Sequence, residues 1–101
     1  MNATNEEATA ADTCSLRLYI AGQTARSLRA VANLQRMCAD QLLGRYRLEV
    51  IDLYQQPQLA QNDQIVAVPA LIRHLPAPLR MVIGDMSDTE RVLAGLDLQL
   101  D

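Results

Sequence analysis

AVPALIRHLPAPLRMVIGDMSD, residues 67–88, is the stretch on which the fold turns. It holds three of the four prolines, Pro69, Pro76 and Pro78, among short apolar runs. Ala70 to Ile72 and Leu79 to Ile83 read as two short strands. The Leu75-Pro76-Ala77-Pro78 link between them favours a turn, because proline has no N–H to give to a ladder. Gly84-Asp85 ends the second run. Ser87-Asp88-Thr89-Glu90 then forms a capping box, with Ser87 as N-cap and Glu90 reaching back to its amide. Val92, Leu93 and Leu96 make the buried face of a final helix, with Gly95 near its end. Proline is also the residue whose peptide bond has two comparably stable isomers, so this segment is the one expected to have a specified and switchable backbone path.

Moving toward the N-terminus, Pro57 suits the first turn of a short helix in which Leu59 and Ala60 face inward. Ile65 to Val68 either ends that helix or begins a strand. Before it, Tyr46 to Leu53 carries Leu48, Val50, Ile51 and Leu53 in a near-continuous apolar run, the mark of a strand covered on both sides. Leu28, Val31, Leu34, Cys38 and Leu42 recur every three or four residues and trace one helical stripe, capped by Thr24 or Ser27 and closed by Gly44 near Leu43. Leu16, Leu18 and Ile20 alternate with Arg17 and Tyr19 in a first strand that ends at Ala21-Gly22. Strand, helix and strand in about forty residues make a βαβ unit with parallel strands. The whole order, β-α-β-α-β-β-α, is the α/β arrangement called thioredoxin-like. Residues 1–13 are polar and acidic and read as a disordered tail, leaving 14–101 as one domain.

Composition narrows the function. Half of the 101 residues are hydrophobic, enough for one modest core, and with three Tyr, no Phe and no Trp that core is aliphatic. Stacking platforms for nucleic acid are lacking, and a net charge of −3 gives no attraction to phosphate backbones. All nine basic residues are arginine, which suits bidentate contacts to carboxylates on a partner protein. No apolar run approaches membrane-spanning length and the N-terminus has no secretory pattern, so a cytoplasmic protein is expected.

Catalytic patterns fail in turn. A redox protein of this arrangement needs a low-pKa cysteine at the start of the first helix, where Gly22-Gln23-Thr24-Ala25-Arg26-Ser27 has none. Cys14 and Cys38 stand apart, with no metal-ligand spacing, and read as free, partly buried thiols. His74, the one histidine, lacks a nucleophile or a triad partner and reads as structural. Asp85 and Asp88 are accounted for by a turn and a helix's first turn. No phosphate-binding loop is present. The residues point to no enzyme, cofactor or metal.

Leu18-Tyr19-Ile20-Ala21-Gly22-Gln23-Thr24, Leu48-Glu49-Val50-Ile51-Asp52-Leu53 and Pro57-Gln58-Leu59-Ala60 resemble the KaiB family, circadian clock proteins of cyanobacteria with homologues in other bacteria. Leu75-Pro76-x-Pro78-x-Arg80, Ile83-Gly84-Asp85-Met86-Ser87-Asp88 and Val92-Leu93-x-Gly95-Leu96-Asp97-Leu98 complete a match over about residues 16–98. The LYxAG run would also suit the sensor domain of the clock-output histidine kinase SasA. The resemblance implies a non-catalytic adaptor that binds the ATPase KaiC, helps to sequester KaiA and displaces SasA. It also implies fold switching between a self-associated form, dimer or tetramer, with a repacked C-terminal half and a partner-bound thioredoxin-like monomer. By the same resemblance Pro69, Pro76 and Pro78, with Gly95 and Asp97, govern the switch, and Arg29, Arg73 and Arg80 keep basic charge where the family uses it for partners. The sequence departs from the family at Ala25, Ala77 and Met81, and at Glu49 and Gln64, where lysine is usual. A stand-alone thioredoxin-like sensor or interaction domain acting on a histidine kinase or stress regulator is the alternative.

Overall fold

The computed structural model describes residues 14–42, 45–65 and 67–98. The expected tail and the helix stop at Gly44 lie outside the described residues. The elements are β1 (Cys14–Ile20), α1 (Ala25–Met37) running on into a π-helical turn (Cys38–Leu42), β2 (Tyr46–Asp52), α2 (Gln58–Asn62), β3 (Ala70–Leu75), β4 (Arg80–Ile83) and α3 (Thr89–Gly95). They form one four-stranded sheet in the order β2-β1-β3-β4. β1 and β2 are parallel, and β1–β3 and β3–β4 are antiparallel.

The main core lies on the α1 and α3 face. Leu16, Leu18 and Ile20 from β1, Leu71 from β3 and Val82 from β4 meet Ala30, Leu34 and Met37 of α1 and Val92 and Leu96 of the final helix. Each fully buried aliphatic side chain contributes roughly 1.5–3 kcal/mol by leaving water. Tyr19, Ile51 and Ile72 form a smaller cluster on the opposite face, under Leu59, Ile65 and Val68.

Three local readings change. The buried stripe of α1 runs through Ser27, Ala30, Leu34 and Met37, and Leu28 is 50% exposed. Small Ser27 and Ala30 let the helix lie close to the sheet, which turns Leu28 outward. Leu34, Cys38 and Leu42 stay buried at steps of four, as one helical face requires, and the last turn, Cys38–Leu42, is π-helical. β2, expected to be covered on both sides, is an edge strand paired only with β1, and Val50 is 40% exposed. The strands buried on both faces are the two central ones, β1, whose Tyr19 is fully inside, and β3, buried from Ala70 to Arg73. Ile65 and the stretch 67–69 neither extend α2 nor begin β3; they are bends and coil.

At the end of the chain, Asp88 rather than Ser87 is the N-cap of α3, its Oδ1 accepting from the Arg91 amide at 3.1 Å. Asp85 has already claimed Ser87, accepting its amide at 3.1 Å in a tight turn, so the helix starts one residue later.

Candidate functional site

The N-terminus of α1 sits where a redox protein of this fold would carry its nucleophile. Thr24 Oγ1 accepts from the Ser27 amide at 3.1 Å, and Ser27 Oγ accepts from the Ala21 amide at 3.3 Å. Gly22, at φ +71°, lies under the Tyr54 ring so closely that a Cβ there would come within 2.8 Å of it. The position is thus occupied by capping and packing contacts. Both cysteines are buried elsewhere in the main core. Burial pushes the Cys14 thiol up, and Cys38 up to about 12, so neither is a ready thiolate.

The expected switch residues divide between the two ends of the sheet: Pro69 precedes Ala70, which pairs with Tyr19 at the α1 N-terminal end, while Pro76 and Pro78 follow Leu75, which pairs with Ser15 at the other. Val68–Pro69, Leu75–Pro76 and Ala77–Pro78 are cis. Pro69 is buried, its carbonyl accepting from the Gly84 amide at 2.9 Å, while Pro76 and Pro78 form an exposed turn between β3 and β4. Gly95 packs against β4 so tightly that a Cβ would lie 2.5 Å from Val82 Cγ2. Asp97, at φ +56°, closes α3 in a Schellman motif: its amide donates to Ala94 O and the Leu98 amide to Leu93 O, both at 3.0 Å.

The three expected partner-binding arginines do not form one patch. Arg29 is exposed on α1, its Nε 3.5 Å from Asp85 Oδ2. Hydrogen bonding from Ser87, first through its side chain and then through its amide, is the main cause that holds the Asp85 carboxyl below its usual range, with Arg29 adding to it. Arg80 is half-exposed at the start of β4, 3.7 Å from Asp97 Oδ2. Arg73 is inside, 3% exposed, with its guanidinium donating to main-chain carbonyls. In this packing it has no surface to offer a partner.

One constellation had no signature in the sequence. On the α2 face, Tyr19 Oη donates to Asp63 Oδ2 at 2.6 Å, and His74 Nε2 lies 3.0 Å from Asp63 Oδ1. Arg17 Nη1 stands 3.5 Å from the same carboxylate and its Nε donates to Glu49 at 3.0 Å. Burial and the bond to Asp63 push the Tyr19 hydroxyl up. His74 is therefore the structural histidine expected, holding the end of α2 to β3. No nucleophile stands in this group, and among the described residues no acid, histidine and cysteine cluster could hold a metal.

Fold and site together define a thioredoxin-like protein whose redox position is filled by packing residues, and whose distinctive features are a proline-bearing hairpin and a glycine-packed final helix. Residues 17–98 match the KaiB domain. The chain is 51% identical over 83 residues to circadian clock protein KaiB3 of a Synechocystis strain, covering 82% of this chain and 81% of that protein. It is 53% identical over 83 residues to the circadian clock oscillator protein KaiB of a Synechococcus strain, covering 82% and 76%. The chain belongs to the KaiB family. It is a homologue of non-catalytic clock proteins. In fold it is similar to the N-terminal domain of Synechococcus elongatus SasA, at a TM-score of 0.68 and 24% identity over 86% of each chain. Chloroplastic thioredoxin z gives 0.66 at 17% identity, over 97% of this chain and 91% of that one. No helix among the described residues is long and apolar enough to cross a membrane.

Proposed function

We propose that the chain is a KaiB-like adaptor in the cytoplasm that docks on a KaiC-family ATPase and regulates its phosphorylation state or output. The observation that carries this is the extent of the match: half the residues are identical to circadian clock KaiB proteins over about four-fifths of the chain. A KaiA-like protein and a SasA-like kinase are the further partners this reading implies, the first recruited and the second displaced. The back half around Pro69, Pro76, Pro78, Gly95 and Asp97 exchanges between a self-associated packing and the thioredoxin-like one, and the partner selects the latter. Such selection needs two packings within a few kcal/mol of one another.

Arg29 and Arg80 are the cations best placed to meet acidic groups on the ATPase. Their present ion pairs are long and open to solvent, and exposed pairs of this kind are weak, so little is lost when a partner's carboxylates replace Asp85 and Asp97. The test is capture of the cognate KaiC homologue at low salt by wild type and by Arg29→Glu combined with Arg80→Glu. The variant, checked for folding by circular dichroism, should retain at most about a tenth of the ATPase. Undiminished capture rejects this docking face, and no capture by wild type rejects the reading as a whole.

A further inference from the structure

Arg73 and Arg80 stand directly opposite each other across β3 and β4, an unfavourable placement for two like charges. Their side chains diverge. Arg80 reaches the Asp97 carboxylate at the surface, while Arg73 turns under the final helix. There, among the described residues, it pairs with no carboxylate. Its Nη1 donates to the main-chain carbonyls of Leu96 and, at 3.3 Å, Asp97, and its Nη2 donates to that of Pro78 at 2.8 Å. Its Nε is buried with no hydrogen-bond partner.

A buried cation without a counter-charge, and with one donor unmet, is an expensive way to fill a core position. Its return is geometric. The planar fork spans two segments, the β3–β4 turn at Pro78 and the end of α3 at Leu96 and Asp97. The turn at 76–79 lacks amide hydrogens at Pro76 and Pro78 and cannot close on itself with them. The end of α3 presents carbonyls, and the negative end of the helix dipole, toward a cation. One guanidinium supplies donors to both.

We infer that Arg73 is a clasp that makes the β3–β4 turn and the end of α3 a single unit, and so is a positioning residue for docking at Arg80 and the exposed Leu75 and Leu79 beside it. It acts without touching the partner. The clasp follows from the geometry alone; its effect on docking rests on the function proposed above.

The full chain carrying Arg73→Met, of similar length but without donors, is compared with Arg73→Lys, which keeps the charge and loses the fork. Amide hydrogen exchange and affinity for the KaiC homologue are measured on each. In Arg73→Met, amides of 79–83 and 92–98 should exchange at least about tenfold faster while those of β1 and α1 hold, and affinity should fall by about fivefold or more. Arg73→Lys should fall between that variant and wild type on both measures. Exchange that rises equally everywhere, or amides of 92–98 that stay protected, overturns the clasp. A loosened segment with wild-type affinity overturns the positioning role. Should Arg73→Met fail to fold, Arg73→Lys decides: selective loosening of 92–98 supports the clasp, and wild-type exchange refutes it. If wild type binds no ATPase while the exchange pattern is as expected, the clasp stands and the docking function falls.

Discussion

Asp63 takes contacts from three side chains at once, and its charge decides whether the α2 face holds. Burial alone would raise its carboxyl, but hydrogen bonds from Tyr19 and His74, with the nearby Arg17 charge, outweigh it and leave the group below the usual carboxylate range. A carboxyl depressed in the folded state contributes stability above its unfolded value, about 3.9. That contribution is lost as pH falls through the folded value. Asp63→Asn should therefore cost about 1–3 kcal/mol in urea unfolding near neutral pH. The gap to wild type should narrow as pH falls below the unfolded value and through the folded one; a gap that stays constant with pH would mean that shape and not charge is what matters there. None of this group was legible in the sequence. Its members are joined across 44 and 11 residues, and Tyr19 reads as the polar-side residue of an alternating strand. Only the structural, non-catalytic character of His74 was within reach.

Among the elements, α3 shows what pattern can and cannot specify. Its apolar positions and its end near Gly95 follow from the sequence, whereas its cap moved from Ser87 to Asp88 because Asp85 competes for the Ser87 amide. The edge position of β2 was equally hidden, since LEVI is as apolar as a buried strand and only the pairing order shows that one side has no neighbour. The contact between Gly95 and Val82 sets two effects against each other. Alanine in a helix gains about 0.5–1 kcal/mol over glycine. The added methyl, however, would meet Val82 Cγ2 at 2.5 Å. In a double-mutant cycle, Gly95→Ala should be more favourable in a Val82→Ala background than in wild type by about 1 kcal/mol. Additive effects would show that α3 has room to move off β4 without loss.

At the scale of the molecule, the sheet divides its two faces unequally. The α1 and α3 face holds most of the apolar core and both cysteines, so thiol access there requires the whole face to open. Alkylation of Cys14 and Cys38 should be slow in the native protein and should accelerate through a urea titration with the same midpoint as loss of helical circular dichroism. Labelling well before that midpoint would reveal separate opening of β1 or α1. The βαβαββα order was legible because the front half carries clear periodicities and the back half is punctuated by proline and glycine. The inward turn of Arg73 was not, because an arginine in a strand reads as surface until the carbonyls that receive it are placed. The second face offers an optical consequence. With no tryptophan, the chain emits through its three tyrosines, and Tyr19 is dimmed by donating its hydroxyl to a carboxylate. Release of Asp63 should brighten that ring, so ultraviolet fluorescence of the unlabelled protein carries a signal from this face above the emission of Tyr46, which packs on the main core, and Tyr54.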